Sequence, residues 1–240
     1  MTNPTPHQLL IINPNSSSSI TSALHSALSP YPPPQTSLHF WNPTSGPVGI
    51  SNAATAASST SACMAELTPG LLEGVDGVLI CCFSEHPLIS TLSDHLSTLH
   101  PDRTIPILGM FHAGVASALL TPMPFGIIAT GTGDKPNLVL ATANFLGSSS
   151  STRFAGVLTS GLAITELQDG DQARVERGMR ETAGRLVDQG AGTIILGCAG
   201  MSGMDGWVID AAKEKGKSVR VVDGARGGVE MLVGMIRASR

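Results

Sequence analysis

Residues 74–82 read G-V-D-G-V-L-I-C-C, and residues 190–198 read G-A-G-T-I-I-L-G-C. In both stretches a glycine is followed, eight positions on, by a thiol that closes an apolar run. The two thiols, Cys82 and Cys198, stand 116 positions apart. A thiol at the matching strand end of each half is what a two-base, cofactor-free proton-transfer site requires.

The same spacing recurs around them. Leu9 to Ile12, followed by N-P-N-S-S, matches Phe125 to Ile128, followed by A-T-G-T-G. Leu38 to Trp41, followed by N-P-T-S-G, matches Phe154 to Leu158, followed by T-S-G. A fourth pair, I-P-I-L-G ending at Gly109 and R-V-V-D-G ending at Gly224, keeps a spacing of 115. Short apolar runs closing in polar, Gly- or Pro-bearing turns read as buried parallel strands. Helical faces separate them: Ile20, Leu24, Ala27 and Leu28 first, then Val175, Met179, Leu186 and Val187, and finally Val229, Leu232, Val233 and Ile236. Strand and helix thus alternate twice in blocks of four. The pattern predicts an α/β fold of two pseudosymmetric halves, each a small parallel sheet of about four strands flanked by helices. The halves are expected at residues 1–120, carrying Cys82, and 121–240, carrying Cys198, joined through T-P-M-P at 121–124. Whether the C-terminal helix packs back onto the first half is left open by the pattern. The serine run at 148–152 reads as a loop and the proline-rich stretch at 30–34 as a stiff turn.

Composition narrows the function. The chain has 240 residues, 42% apolar and only 13% charged, which is the composition of a folded protein with a real core. A formal net charge of −4 leaves no basic footprint for nucleic acid or an anionic membrane. No apolar run approaches the roughly 20 residues of a membrane span. The N-terminus lacks a signal-peptide pattern, so a cytoplasmic, reducing location is expected. Four cysteines are too few for a disulfide scaffold. The seven histidines show no metal-ligand spacing, and T-G-T-G at 130–133 lacks the third glycine of a dinucleotide fingerprint and the ending of a P-loop. The expected partner is a small molecule.

Ligands of parallel α/β sheets bind beyond the carboxyl ends of the strands. The loops that fall there are rich in Ser, Asn, Thr and Gly: 13–19, 42–46, 82–86, 130–133, 159–161 and 198–203. Their amides can cradle an anionic or strongly polar ligand, although the same residues also cap helices and turn the chain. A cysteine between a strand end and a helix is expected to have a lowered thiol pKa. Cys63, on an apolar helix, and Cys81, facing away from Cys82, read as buried structural thiols. His86 shares the Cys82 loop, where it could tune the thiol or touch a substrate, and Glu85 lies beside it.

At this point the motifs resemble the Asp/Glu/hydantoin racemase superfamily, and within it the hydantoin and allantoin racemase branch. The matching pieces are I-I-N-P-N-S-S-S (11–18), S-G-P-V-G-I (45–50), C-F-S-E-H-P-L (82–88), I-P-I-L-G-M (105–110), F-G-I-I-A-T-G (125–131) and I-L-G-C-A-G-M (195–201). They span nearly the whole chain in order. The C-N-T and G-C-T-E elements usual in amino-acid racemases are absent. The first-thiol stretch has E-H-P where bacterial hydantoin racemases tend to have D-P-G, which looks more like fungal members of the group.

The resemblance implies an active site in the cleft between the two halves and a two-base racemase that uses neither pyridoxal phosphate nor metal. One of Cys82 and Cys198, as thiolate, would take the proton from the stereogenic carbon, and the other would return one to the opposite face. The substrate would be a cyclic ureide of hydantoin or allantoin type. Asn13, Ser84, Thr130, Gly131 and the backbone of Ala199 and Gly200 are the first candidates to hold the ring, with Ser16, Thr44, Gly46, Phe83 and His86 behind them. Homo-oligomerisation is a further family-level expectation. Alternatives are another cofactor-free reaction of the superfamily (amino-acid racemisation, decarboxylation or cis–trans isomerisation), a thiol hydrolase with Cys82 as nucleophile and His86 as base, or a ureide-binding protein without turnover.

Overall fold

The computed structural model describes residues 5–239. The first half runs β1 (His7–Ile12), α1 (Ser18–Leu28), β2 (Thr36–Trp41), α2 (Ala53–Glu66) and α3 (Pro69–Leu72). It continues through β3 (Gly77–Ile80), α4 (Leu88–Leu99), β4 (Ile107–Gly109) and α5 (Met110–Leu119). The second half opens with β5 (Phe125–Ala129), α6 (Pro136–Leu146), β6 (Phe154–Thr159), α7 (Glu166–Asp169) and α8 (Gln172–Asp188). It closes with β7 (Thr193–Leu196), a 3-10 turn at Ala199–Met201, α9 (Asp205–Glu214), β8 (Arg220–Asp223) and α10 (Gly224–Ala238).

Two four-stranded parallel sheets result, ordered β2-β1-β3-β4 and β6-β5-β7-β8, the same order in each half. The internal repeat extends to the hydrogen-bonding register. Leu9 lies opposite Gly77, and 116 positions later Phe125 lies opposite Thr193. Two departures have local causes. A bulge between Phe125 and Gly126 shifts the pairing with β6, which is why four residues of β2 correspond to five of β6. Ile80 opposes Gly109 while Leu196 opposes Asp223, so the fourth strands are 114 positions apart. The expected pairing of Gly109 with Gly224 is therefore corrected by one residue.

Alternation along the strands sorts the apolar side chains into three layers. Leu9, Ile11, Leu79, Phe125, Ile127 and Ile195 point into one inner layer shared by both halves. Leu10, Ile12, Val78 and Ile80 face outward beneath α2 and α4, and Ile128, Ile194 and Leu196 face outward beneath α8 and α9. Full burial of each such side chain contributes about 1.5–3 kcal/mol.

The inner layer is closed by an exchange of helices. α10, at the end of the second half, packs on α5 and on β3 and β4 of the first sheet. α5, at the end of the first half, reaches β7 and β8 of the second. Glycines make the crossing possible: Gly224 and Gly114 stand so close that a Cβ on Gly224 would lie 3.6 Å from the Gly114 Cα. That same Cβ would meet the Met110 carbonyl oxygen at 2.4 Å, well inside contact. Among the described residues no helix is long and apolar enough to cross a membrane.

Two substitutions in α10 therefore act in opposite directions. Gly224→Ala forces backbone apart at the crossing and is expected to destabilise by about 1–3 kcal/mol. Gly234→Ala meets nothing within 4 Å and should stabilise by about 0.4–1 kcal/mol through the unfolded chain. Urea or thermal denaturation measures both, and a neutral Gly224→Ala would overturn the close-crossing account.

Candidate active site

The two strand ends that carry the thiols are built alike. The Cys81 amide donates to the Ile12 carbonyl and the Gly197 amide to the Ile128 carbonyl, both at 2.8 Å, so the positions are equivalent in the two halves. At Gly197 a Cβ would lie 2.4 Å from that carbonyl oxygen, and only glycine lets the strand end close so tightly. Its counterpart Cys81 packs into the inner apolar layer, yet it also touches the wall of the cavity that Cys82 lines, which corrects its reading as a thiol facing away from the site. One residue further on, Cys82 and Cys198 both enter the wall of a single cavity of about 450 Å³.

Each half contributes a thiol strand end, a helix N-terminus and apolar wall. From the first half come Asn15 and Ile20, the segment 50–53 leading into α2, and Phe83, Ser84 and Glu85 beyond the thiol. From the second half come Ala129 and Thr130, the segment 134–138 opening α6, Ile164 and Ala199. α2 opens on a capping box in which the Asn52 side chain accepts from the Thr55 amide and the Thr55 hydroxyl accepts from the Asn52 amide. No side chain caps α6.

Burial dominates the electrostatics of the thiols. It pushes Cys82 up to about 11, against an opposing hydrogen bond with the Ser84 hydroxyl at 3.3 Å. It pushes Cys198 up to about 12, opposed by the Gly200 amide and reinforced by negative charge on Cys82. Negative charge on Cys82 thus bears on the Cys198 thiol. The expected lowering by a helix dipole is corrected for a structural reason. Cys82 is separated from the start of α4 by a loop through Pro87, and Cys198 leads only into a three-residue 3-10 turn. Cys63 and Cys81 are buried with pKa values also raised by desolvation, Cys63 lying 3.6 Å from the Pro14 carbonyl.

Of the ligand-holding candidates, Phe83, Ser84, Thr130 and Ala199 share the cavity wall with the two thiols. The others stand behind it. Asn13 is fully buried and spends its amide on Asn15, the Ser17 carbonyl and Thr21, each at 3.0 Å. Ser16 donates to the Gly46 carbonyl at 3.1 Å, and Thr44 binds the Glu66 carboxylate through amide and hydroxyl. Gly46, at φ +86°, packs on Ala62. Gly131 (φ +80°) donates to the Leu162 carbonyl, and Gly200 accepts from Gln168 while its amide serves Cys198.

His86 is committed elsewhere. Its Nδ1 accepts from the Leu88 amide at 3.2 Å, which assigns the proton to Nε2, 3.4 Å from the Ser59 hydroxyl. Ser59 in turn donates to the Pro14 carbonyl. Burial lowers His86 to about 4, so it is a neutral link tying the Cys82 loop to α2 and to the loop after β1. No ring nitrogen is left to serve Cys82 as a base.

Sequence reasoning missed Asn15, the segment 50–53, Ile164 and the start of α6 with Lys135. For α6 a signal existed: α1 and α6 each follow the first strand of their half, so both N-termini must open on the shared cleft. Among the described residues no cluster of His, Cys, Asp or Glu is placed to hold a metal ion.

Comparison with known proteins agrees with this architecture. The chain is 32% identical to an uncharacterized protein of Schizosaccharomyces pombe over 96% of its own length and 92% of that protein. It is 29% identical to a hydantoin racemase of Rhizobium meliloti, covering 95% of this chain and 88% of the relative. In structure it superposes on allantoin racemase from Klebsiella pneumoniae with a TM-score of 0.76 at 22% identity, over 97% of this chain and 88% of the other. The family model described as Asp/Glu/Hydantoin racemase matches residues 9–232. With two like sheets, a thiol at each equivalent strand end and this match along its length, the chain belongs to the Asp/Glu/hydantoin racemase family.

Proposed function

We propose that the protein is a cofactor-independent racemase of a cyclic ureide of hydantoin or allantoin type, with Cys82 and Cys198 as its two bases. The observation that carries this reading is the pair of thiols at symmetry-equivalent strand ends on one cavity, close enough for the charge of one to act on the other. The relatedness to a hydantoin racemase and the likeness to an allantoin racemase fold support it.

In the proposed step, the thiolate of one cysteine takes the hydrogen of the stereogenic carbon as a proton. The C–H bond breaks, an S–H bond forms, and the electron pair moves into the adjoining carbonyl as an enolate. The thiol of the other cysteine then delivers its proton to the opposite face, leaving the protonation states of the two sulfurs exchanged. A ureide carbon flanked by a carbonyl and nitrogen is more acidic than that of a free amino acid. A desolvated thiolate, made more basic by its surroundings, is matched to it. Ser84, Thr130 and the amides after Cys198 are the donors proposed for the enolate oxygen. The hydrolase alternative loses its base, because both nitrogens of His86 are engaged.

The test is incubation of a single enantiomer of allantoin or a 5-substituted hydantoin in deuterium oxide, following optical rotation and C–H exchange together. Wild-type protein is expected to racemise with deuterium incorporation. Cys82→Ser and Cys198→Ser should each lose about 10²-fold or more in racemisation, with exchange surviving for one enantiomer in each. Full racemisation by either variant would sink the two-thiol mechanism.

A pH profile follows from the raised thiols. With Cys82 pushed up to about 11 and Cys198 to about 12, the free protein holds both as neutral thiols at pH 7, and the thiolate grows as pH rises. The value of kcat/KM should climb about tenfold per unit between pH 7 and 9. A plateau already reached at pH 7 would show that the working thiolate is formed by some other means.

A further inference from the structure

Among the described residues Lys135 is the single basic side chain on the cavity wall. It stands at the N-terminus of α6, half-buried, and bends back over Gly131: its Nζ would lie 3.0 Å from a Cβ at that glycine. The positive φ of Gly131, +80°, and its missing side chain provide the space. Among the described residues no carboxylate lies within ion-pair distance of Nζ and no hydrogen-bond acceptor is assigned to it, whereas Lys213 and Lys215 each hold an aspartate, Asp210 and Asp188. A half-buried ammonium with its donors unspent, facing a cavity, is a site for an anionic group.

Position matters as much as charge. The ionisation of Cys82 answers to burial and Ser84, and that of Cys198 to burial, Gly200 and Cys82. Lys135 lines the same cavity as the two sulfurs. The repeat also makes it one-sided. The cap of the corresponding helix α1 is Ser17, whose hydroxyl accepts from the Ile20 amide. Only the α6 end of the cleft is cationic. The other charges on the wall, Glu85 and Asp134, are both exposed, where solvent screens them. At about 450 Å³ the cavity exceeds a bare hydantoin ring.

We propose that the cavity selects a cyclic ureide whose stereogenic carbon carries an acidic substituent, the carboxylate bound by Lys135 while the ring carbon lies between the two sulfurs. This rests on the ureide-racemase reading for the ring, while the anion subsite itself is a property of binding. Lys135 is thus a specificity-determining residue with no part in the proton transfer proposed above.

The experiment compares equilibrium binding of hydantoin-5-acetic acid with that of its uncharged amide, hydantoin-5-acetamide, to the full-length protein at low and high salt. The same two ligands serve as racemisation substrates. Wild type is expected to bind the acid about tenfold or more tightly than the amide, with the preference shrinking at high salt. Lys135→Met should abolish the preference without weakening the amide or lowering the melting temperature, and Lys135→Arg should keep it. Equal binding of acid and amide by wild type, or equal loss of both in Lys135→Met, would overturn the proposal. Charge-selective, Lys135-dependent binding without racemisation would uphold the subsite and reject the racemase reading. Racemisation of both ligands with no preference would do the reverse.

Discussion

Everything at the candidate site depends on one apolar layer shared by two sheets. Parallel strands buried on both faces need cover on each side. Here the inner faces of both halves meet in a common core, into which Leu9, Leu79, Phe125 and Ile195 all project. Because the layer is common, the carboxyl ends of the two central strands cannot move independently. The thiols inherit their spacing from packed hydrocarbon, without a loop having to hold it.

Over that frame a few hydrogen bonds hold the two thiol loops in place. The Cys82 loop is held by a run of neutral donors from His86 to Ser59 to the Pro14 carbonyl. The Cys198 loop is held by the Gly200 amide and by Gln168 on the Gly200 carbonyl. None of these links carries charge, which suits the proton exchange between two sulfurs proposed above.

Much of the fold could be read from the chain because duplication writes each element twice. The runs ending at Ile12 and Ile128, and those ending before Cys82 and Cys198, stand in register at every hydrogen bond. What the chain hid was anything the copies do differently. The bulge in the β5–β6 pairing and the one-residue change at β8 are insertions and deletions that a fixed spacing blurs. The site was legible where chemistry is rare, at the thiols, and obscure where it is common. Asn13 and Ser16 carry a conspicuous motif, yet their hydrogen bonds shape the turn, and Asn15 between them meets the cavity. Nothing in the composition of residues 50–53 separates them from an ordinary helix cap, since their place on the wall comes from how α2 approaches the cleft.

The exchange of α5 and α10 has a consequence for how such a molecule can be assembled. Cutting between residues 121 and 124 would leave two units, each with a bare sheet face and an unattached helix shaped for the other. Two copies of either unit, related by a two-fold axis, would present the same mutual grip, which is the geometry of segment exchange in a homodimer. The present chain is that arrangement with its two subunits made continuous. Continuity then frees each copy to change alone, which is how one helix cap can hold Ser17 and the other Lys135 in a frame that is otherwise a repeat.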